Sequence, residues 1–484
     1  MNLKKAAIIN GIARFSKIFI QIIVNAILAR ILIPEAFGVV AVITVFTTFF
    51  NTFADMGFGA AIIQHKDLTD DDIDSIYSVT LYIGVLLAIL FCILSLPIAM
   101  FYDNTTYLKL GPMLSLSLLF NTFNMIPNAI LMREKKFTLI SIRTIIVYLG
   151  GGIVAVILAL FGFSYYALVI QTVLIAAITY FVNYLSTKPR FRFKININSL
   201  KKVAKFSFFQ FSFNIINYFS RNLDNLLTGK FLGDINLAYY DKAYTLMLYP
   251  VNNLTGVVSP VLHPILSDFQ HDKKYIYNSY IKIARILGII GAYVSGFCFL
   301  ASRELILIVY GSQWEGAIVC FSALSLVVAT QMLNSCSGAI FQSIGNTKLL
   351  FISGVINSLI TIIMIFIGIF YGKTIKFLAI CVALAYFMHF ISAQYIVVKY
   401  GFNYSVFLFY KDIKNEIILF IALIIGTLVY PFNIENLFLS FTIKLVWISV
   451  TTLVILLITK EYRVLTNFIK GGESKDNEVF SKII

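Results

Sequence analysis

Apolar residues along the chain form long runs that are separated by short polar, Pro- or Gly-containing breaks. A helix needs about 20 predominantly apolar residues to cross a membrane, and most of the runs reach that length. No run shows the apolar–polar alternation, at about ten residues per strand, that an outer-membrane barrel requires. The pattern predicts fourteen helical crossings, at 6–32, 37–63, 74–101, 108–131, 138–161, 164–186, 203–232, 236–266, 278–309, 316–344, 349–371, 375–398, 415–432 and 438–459.

The Lys and Arg residues test this division, because basic residues are retained on the cytoplasmic side when loops are short. Outside the crossings they concentrate in the loops and tails of one side, whereas the opposite loops hold only Lys373 and Lys376. An inverted orientation or one missing helix would destroy this asymmetry. We therefore predict a multi-pass protein of a bacterial plasma membrane, with both termini in the cytoplasm.

The composition agrees with a polytopic membrane protein, since 59% of the residues are hydrophobic and 13% are charged. Soluble proteins carry about a quarter charged residues. The crossings leave no room for a soluble catalytic domain, and a net charge of +15 that lies mainly in loops does not indicate nucleic-acid binding. The five cysteines lie in apolar runs without a CxxC spacing or a neighbouring His, so we expect neither disulfides nor a metal site.

A polar stripe on the first crossing recurs on the seventh at a constant offset of 200 residues. Its members are three or four residues apart, so each stripe occupies one helical face. The offset predicts two six-helix halves, 1–200 and 201–400, followed by two further helices within 401–470 and a cytoplasmic tail, 471–484. The stripes are Asn10, Arg14, Lys17, Gln21 and Asn25, and Gln210, Asn214, Asn217, Arg221 and Asn225.

Such stripes must face protein or water, because an Arg or Lys near the bilayer centre costs about 2.5–3.5 kcal/mol. We expect both stripes to line one central cavity; the alternative is that they pair within each bundle and hold its helices together. Cations outnumber carboxylates on the expected cavity face, which favours an anionic ligand. Guanidinium groups suit phosphate, and neutral amides suit sugar hydroxyls. The predicted substrate-binding residues are Arg14, Lys17, Gln21, Asn25, Arg143, Asn214, Asn217 and Arg221.

Catalytic motifs such as HExxH, GxSxG and Walker A are missing from the sequence, and the external loops are short. We therefore predict a transporter that is not an enzyme and needs no cofactor. Without an ATP site, an ion gradient, the membrane potential or consumption of the product must drive transport. Asp55 and Asp224 are the candidate carboxylates for coupling to H⁺ or Na⁺.

Several patches resemble the MOP exporter superfamily, in particular its polysaccharide transporter branch of Wzx-type and teichuronic-acid-exporter-like flippases. The most specific patches are 10–46 and 53–72, and the segments 218–244 and 341–348 are also similar. Together these patches make up about a fifth of the chain. The residues that match the family pattern are Arg30, Pro34, Phe37, Gly38, Asp55, Gly57, Gly59 and Gln64.

The resemblance implies an all-α polytopic membrane protein with about 14 transmembrane helices, in two six-helix bundles packed as a V around a central cavity, plus two C-terminal helices. It implies alternating access that moves an undecaprenyl-pyrophosphate-linked oligosaccharide from the inner to the outer leaflet for surface polysaccharides such as capsule or O-antigen. Membrane lipids and other polysaccharide assembly proteins are then candidate partners. Two alternatives stay open, a multidrug or metabolite antiporter of the same superfamily and a membrane-embedded glycan polymerase.

Overall fold

The computed structural model describes residues 3–55, 58–64, 68–193, 218, 222–267, 269–432 and 434–469. Within these ranges the chain forms helices joined by short turns and contains no β-strand, which confirms the predicted all-α fold there. The chain divides into two compact units, Met1–Ala238 and Tyr239–Ile484. The predicted limits near residues 200 and 400, the V shape and the central cavity stay predictions.

The helices of the first unit follow the predicted runs closely. Helix α3 continues the second run after a short break, and α8 is the described part of the seventh run. The helices are α1 (Leu3–Ile31), α2 (Pro34–Asp55), α3 (Phe58–Gln64), α4 (Asp70–Tyr102), α5 (Thr106–Arg133), α6 (Phe137–Leu160), α7 (Tyr165–Thr187) and α8 (222–232).

Helix α9 (Asp234–Ser267) leads into the second unit, in which several predicted runs are broken into shorter helices. Two of the longer helices end in a π-helical turn, Ile367–Tyr371 after α15 and Ile396–Phe402 after α16. The helices are α10 (Lys273–Leu300), α11 (Ser302–Val309), α12 (Ala317–Ser325), α13 (Val328–Ser335), α14 (Ser337–Ser343), α15 (Thr347–Phe366), α16 (Ile375–Tyr395), α17 (Val406–Asp412), α18 (Lys414–Leu428), α19 (Leu437–Thr459) and α20 (Tyr462–Ile469).

Nine helices among the described residues are long and apolar enough to cross a membrane. The number is ten if the bent pair Ala317–Ser325 and Val328–Ser343, which meet at 53°, forms one crossing. Every predicted run except 203–232 coincides with one or more helices, and that run lies mostly outside the described residues. The protein is therefore polytopic, and the count of fourteen crossings stays a prediction.

Local sequence sets where α4 begins. The Thr69 hydroxyl accepts a hydrogen bond from the backbone N–H of Asp72 at 3.2 Å, and the Asp72 carboxylate accepts one from the backbone N–H of Thr69 at 3.1 Å. This reciprocal capping box satisfies backbone donors that the helix leaves free. Asp70, Asp71 and Asp72 also place negative charge at the positive end of the helix dipole.

Glycines on α6 allow its neighbours to approach closely. A Cβ at Gly151 would lie 2.7 Å from Ile175 Cγ1 on α7, and a Cβ at Gly152 would overlap the side chain of Val24 on α1. Small residues give this close packing between membrane helices. It brings α1, α6 and α7 together on one side of the first unit.

Buried ion pairs fasten the C-terminal helices to the rest of the second unit. Glu304 on α11 is 2% exposed, and Lys444 of α19 donates to both of its oxygens at 2.8 Å. Arg285 of α10 donates to Glu416 at 2.9 Å and to Glu461 at 2.5 Å. The helices α18 and α19 therefore belong to the same unit as α10.

Candidate functional site

A polar chamber lies inside the first unit, between α1, α5, α6 and α7, and has a volume of about 360 Å³. Predicted residues of the first stripe, Gln21 and Asn25, contribute one of its walls. The other walls carry hydroxyl and amide groups that sequence reasoning did not select. These are Ser117 and Asn121 on α5, Tyr148 on α6, and Gln171 and Thr172 on α7.

Lys17 lies one helical turn before Gln21 on the same face of α1, and it brings positive charge to the chamber. Its ammonium lies 4.4 Å from the centroid of the Tyr148 ring, which lines the chamber. A cation at this distance is attracted by the face of the ring. None of the residues that line the chamber is charged, and Lys17 is not among them, so the positive charge beside Tyr148 is what would attract an anion to the chamber.

Arg143 does not line the chamber, although it was predicted to bind substrate. Its guanidinium donates to Asn183 Oδ1 at 2.5 Å and to Thr144 Oγ1 at 3.4 Å. Asn183 is fully buried and donates in turn to Asn124 Oδ1 at 2.7 Å. Arg143 Nε is buried without a partner among the described atoms. Arg143 therefore joins α5, α6 and α7.

The Arg143 network and the chamber share one face of α5. Asn124 and Asn121 are three residues apart, and Asn121 Nδ2 lies 3.4 Å from Ser117 Oγ, to which it donates. A continuous polar face therefore runs along α5 from the chamber to the buried Asn183. The spacing of four and three residues from Ser117 to Asn124 was readable in the sequence.

Most of the second predicted stripe falls on residues whose structure is not described, and Asn225 on α8 is its one described member. Asn214, Asn217 and Arg221 lie outside the described residues, and so does the side chain of Arg14, whose backbone belongs to α1. The meeting of Arg14 and Arg221 at one cavity therefore stays a prediction.

The two carboxylates proposed for ion coupling differ in what can be described. Asp55 is the last residue of α2, and its side chain lies outside the described part of the chain. Asp224 on α8 is 6% exposed and accepts a hydrogen bond from the backbone N–H of Asn225 at 2.9 Å. A coupling role for either stays a prediction.

At the predicted external end of the first unit, residues 226–238 pack tightly against α2, α4 and α5. A Cβ at Gly38 would lie 2.5 Å from the carbonyl carbon of Asp234. The Asp234 carboxylate accepts hydrogen bonds from Tyr107 at 3.2 Å and from Asn104 at 3.3 Å. Lys230 pairs with Asp103 at 3.0 Å. We refer to these contacts of Gly38, Asp103, Asn104, Tyr107, Lys230 and Asp234 as the external seam.

Comparison with known proteins places this chain among polysaccharide biosynthesis proteins. A family model described as "Polysaccharide biosynthesis protein" matches residues 27–319, which is more than half of the chain. The chain belongs to this family. The match covers all of α2 to α11, so it includes the chamber walls on α5, α6 and α7.

A curated relative of this family member is the teichuronic acid biosynthesis protein TuaB of Bacillus subtilis. It is 26% identical over 309 residues, which cover 63% of this chain and 64% of the relative. The name agrees with the teichuronic-acid-exporter-like branch that the sequence resembles.

Solved structures show the same fold across nearly the whole chain. The lipid II flippase MurJ in an inward closed conformation aligns with a TM-score of 0.75 and 17% identity, covering 95% of this chain and all of MurJ. An inward-facing multidrug resistance MATE transporter of the MOP superfamily aligns with a TM-score of 0.63 and 16% identity, covering 83% of this chain and 99% of the transporter. The predicted MOP-superfamily fold is confirmed.

Proposed function

We propose that this protein is a flippase that moves a lipid-linked oligosaccharide across the plasma membrane during synthesis of a cell-surface polysaccharide. The family of polysaccharide biosynthesis proteins and the fold shared with the flippase MurJ support this proposal. The observation that carries it is the polar chamber of the first unit, beside which Lys17 lies.

A polar chamber inside a membrane protein indicates a ligand, because polar groups in the hydrocarbon region are retained mainly where they pair or serve transport. Amides and hydroxyls of the chamber walls can exchange hydrogen bonds with sugar hydroxyls, and Lys17 attracts a phosphate. Ligand sites usually measure about 300–1,000 Å³, and this chamber lies at the lower end of that range. It therefore accommodates one sugar or the diphosphate rather than a whole repeat unit.

In the proposed cycle, the headgroup of an undecaprenyl-pyrophosphate carrier enters from the cytoplasmic side and leaves to the outer leaflet by alternating access. The isoprenyl chain stays in the lipid throughout. Asp55 and Asp224 are the groups we propose for coupling to H⁺ or Na⁺. Both termini lie in the cytoplasm in this scheme.

The decisive experiment determines which leaflet holds the lipid-linked precursor after the gene is deleted. A flippase defect leaves completed repeat units on the cytoplasmic leaflet. A polymerase defect would instead leave single repeat units on the outer leaflet, and loss of an antiporter would cause drug sensitivity without a glycan defect. Either of the last two results would contradict the proposal.

Variants of the two stripes test the proposed binding of the headgroup. Lys17→Gln, Arg14→Ala and Arg221→Ala should abolish glycan export while the protein remains abundant in the membrane, because each removes a charge that binds the headgroup. Tyr148→Phe keeps the ring that faces Lys17 and should export more than Tyr148→Leu. Lys109→Gln, at an exposed position near the start of α5, is the control and should export normally. An equal fall in abundance and export would assign the stripe to helix packing instead.

A further inference from the structure

A long apolar groove runs between α15 and α16 on the surface of the second unit, with a volume of about 710 Å³. Its lining extends from Leu349 to Ile360 on α15 and from Met388 to Tyr400 across α16 and the π-helical turn. None of its ten lining residues is charged. Met388 and Ile391 are 45% and 44% exposed, so the groove is open along its side.

The length of the groove matches one leaflet of a bilayer. From Leu349 to Ile360 the helix advances eleven residues, a rise of about 17 Å. Half of a hydrocarbon core that is about 30 Å thick is about 15 Å. In the predicted topology α15 begins at the cytoplasmic surface and α16 returns to it, so the groove occupies the cytoplasmic leaflet.

The floor of the groove offers no free polar group to a ligand. Ser392, which lines it, donates to Asn357 Oδ1 at 2.7 Å. His389 lies behind this pair, only 8% exposed, with its Nε2 2.8 Å from the carbonyl oxygen of Asn357 and 2.9 Å from Thr361 Oγ1. The groove itself is therefore suited to an apolar chain.

The cytoplasmic mouth of the groove is cationic. Lys399 donates a hydrogen bond to the Tyr395 hydroxyl at 2.8 Å, and its ammonium lies 5.0 Å and 5.7 Å from the ring centroids of Tyr395 and Tyr400. Among the described residues it makes no ion pair with a carboxylate. Lys348 precedes Leu349 and is exposed at the same end.

We propose that this groove binds a phospholipid of the cytoplasmic leaflet with an anionic headgroup, represented by phosphatidylglycerol. One acyl chain lies between α15 and α16, and the phosphate lies beside Lys399 and Lys348. Basic residues where membrane helices meet the cytoplasm attract anionic lipids in this way. The match to one leaflet favours an ordinary phospholipid over the much longer chain of an isoprenoid carrier. The site is separate from the chamber in the first unit, and it does not depend on what the protein transports.

The headgroup is tested by native mass spectrometry of the purified full-length protein, titrated with phosphatidylglycerol or with phosphatidylcholine. The wild type should retain phosphatidylglycerol preferentially. Each lysine near the surface contributes about a fivefold preference, so Lys399→Gln combined with Lys348→Gln should reduce the ratio of retained lipids about 25-fold. Lys376→Gln, an exposed lysine at the opposite end of α16, is the control and should leave the ratio unchanged.

The groove is tested by filling it. Ile356→Trp, and independently Ile391→Trp, should reduce retention of both phospholipids, whereas Phe351→Trp, at an exposed position on the face of α15 that points away from the groove, should not. The proposal is overturned if the wild type retains both phospholipids equally, or if the double lysine variant loses both to the same extent. Displacement of phosphatidylglycerol by an equal concentration of undecaprenyl phosphate would also overturn it, because the groove would then bind the carrier lipid.

Discussion

Replacing Gly38 by Ala tests the external seam, because two physical effects predict opposite results. Gly38 lies in the interior of α2, where Ala is favoured over Gly by about 0.5–1 kcal/mol. An Ala Cβ would, however, lie 2.5 Å from the carbonyl carbon of Asp234, whereas ordinary contact begins at 3.4 Å. The Asp234 backbone must therefore move by at least about 0.9 Å, the difference between these two distances.

Such a movement has a cost because the hydrogen bonds to Asp234 are already long. The bonds from Tyr107 and Asn104 measure 3.2 Å and 3.3 Å, slightly longer than the usual ranges of about 2.5–3.0 Å for O–H···O and about 2.7–3.2 Å for N–H···O. A hydrogen bond to a charged group contributes about 1.5–3 kcal/mol, so losing both outweighs the gain in helix propensity by about 2 kcal/mol or more. Gly38→Ala should be less stable than the wild type.

The assay is thermal denaturation of the purified protein in detergent, with glycan export measured in parallel. Gly150→Ala on α6 is the control, since nothing lies within 4 Å of the added Cβ, and it should be neutral or stabilising. Tyr107→Phe should destabilise the wild type more than it destabilises Gly38→Ala, because the Asp234 contact is already lost in that variant. If Gly38→Ala equals or exceeds the wild type in stability, the reasoning from the seam is wrong.

Two further predictions concern other contacts. Lys444→Met leaves Glu304 buried without its cation and should destabilise the protein by about 3–5 kcal/mol in the same denaturation assay. Adding Glu304→Gln to this variant should restore most of the lost stability. If the double variant shows no recovery, the two residues do not form a buried ion pair. Thr69→Ala removes the capping box of α4 and should lower the free energy of unfolding by about 1 kcal/mol, whereas Thr69→Ser should leave it nearly unchanged. A Ser variant that is as unstable as the Ala variant would argue against the cap.

The positions of the helices could be predicted well from the sequence, because a helix that crosses the hydrocarbon core must be apolar along most of its length. The sequence was less informative about breaks inside runs, since a bend such as the one between α12 and α13 leaves the apolar composition unchanged. The predicted domain limits near residues 200 and 400 stay predictions. Residues 222–238 follow the basic linker in sequence, yet they pack with the first unit.

The candidate site was predicted in part. The face of α1 that carries Gln21 and Asn25 does line a polar chamber, because a row of polar residues on a membrane helix must meet other polar groups. Among the partners of that face, Gln171 was missed because α7 is largely apolar and shows no polar stripe, whereas Ser117 and Asn121 on α5 were missed although their spacing could be read in the sequence. The partners of Arg285 were missed for another reason: Glu416 and Glu461 lie far along the chain, and only folding brings them together.

The ion pairs of Arg285 with Glu416 and Glu461 determine where the chain can be truncated or fused to another protein. One guanidinium joins α10 to the beginning of α18 and to the residue that precedes α20, so a truncation before residue 416 would leave Arg285 without both carboxylates that pair with it. Fluorescent reporters or purification handles fused on the C-terminal side should therefore follow residue 469, and a split into two co-expressed fragments should keep residues 273–469 together.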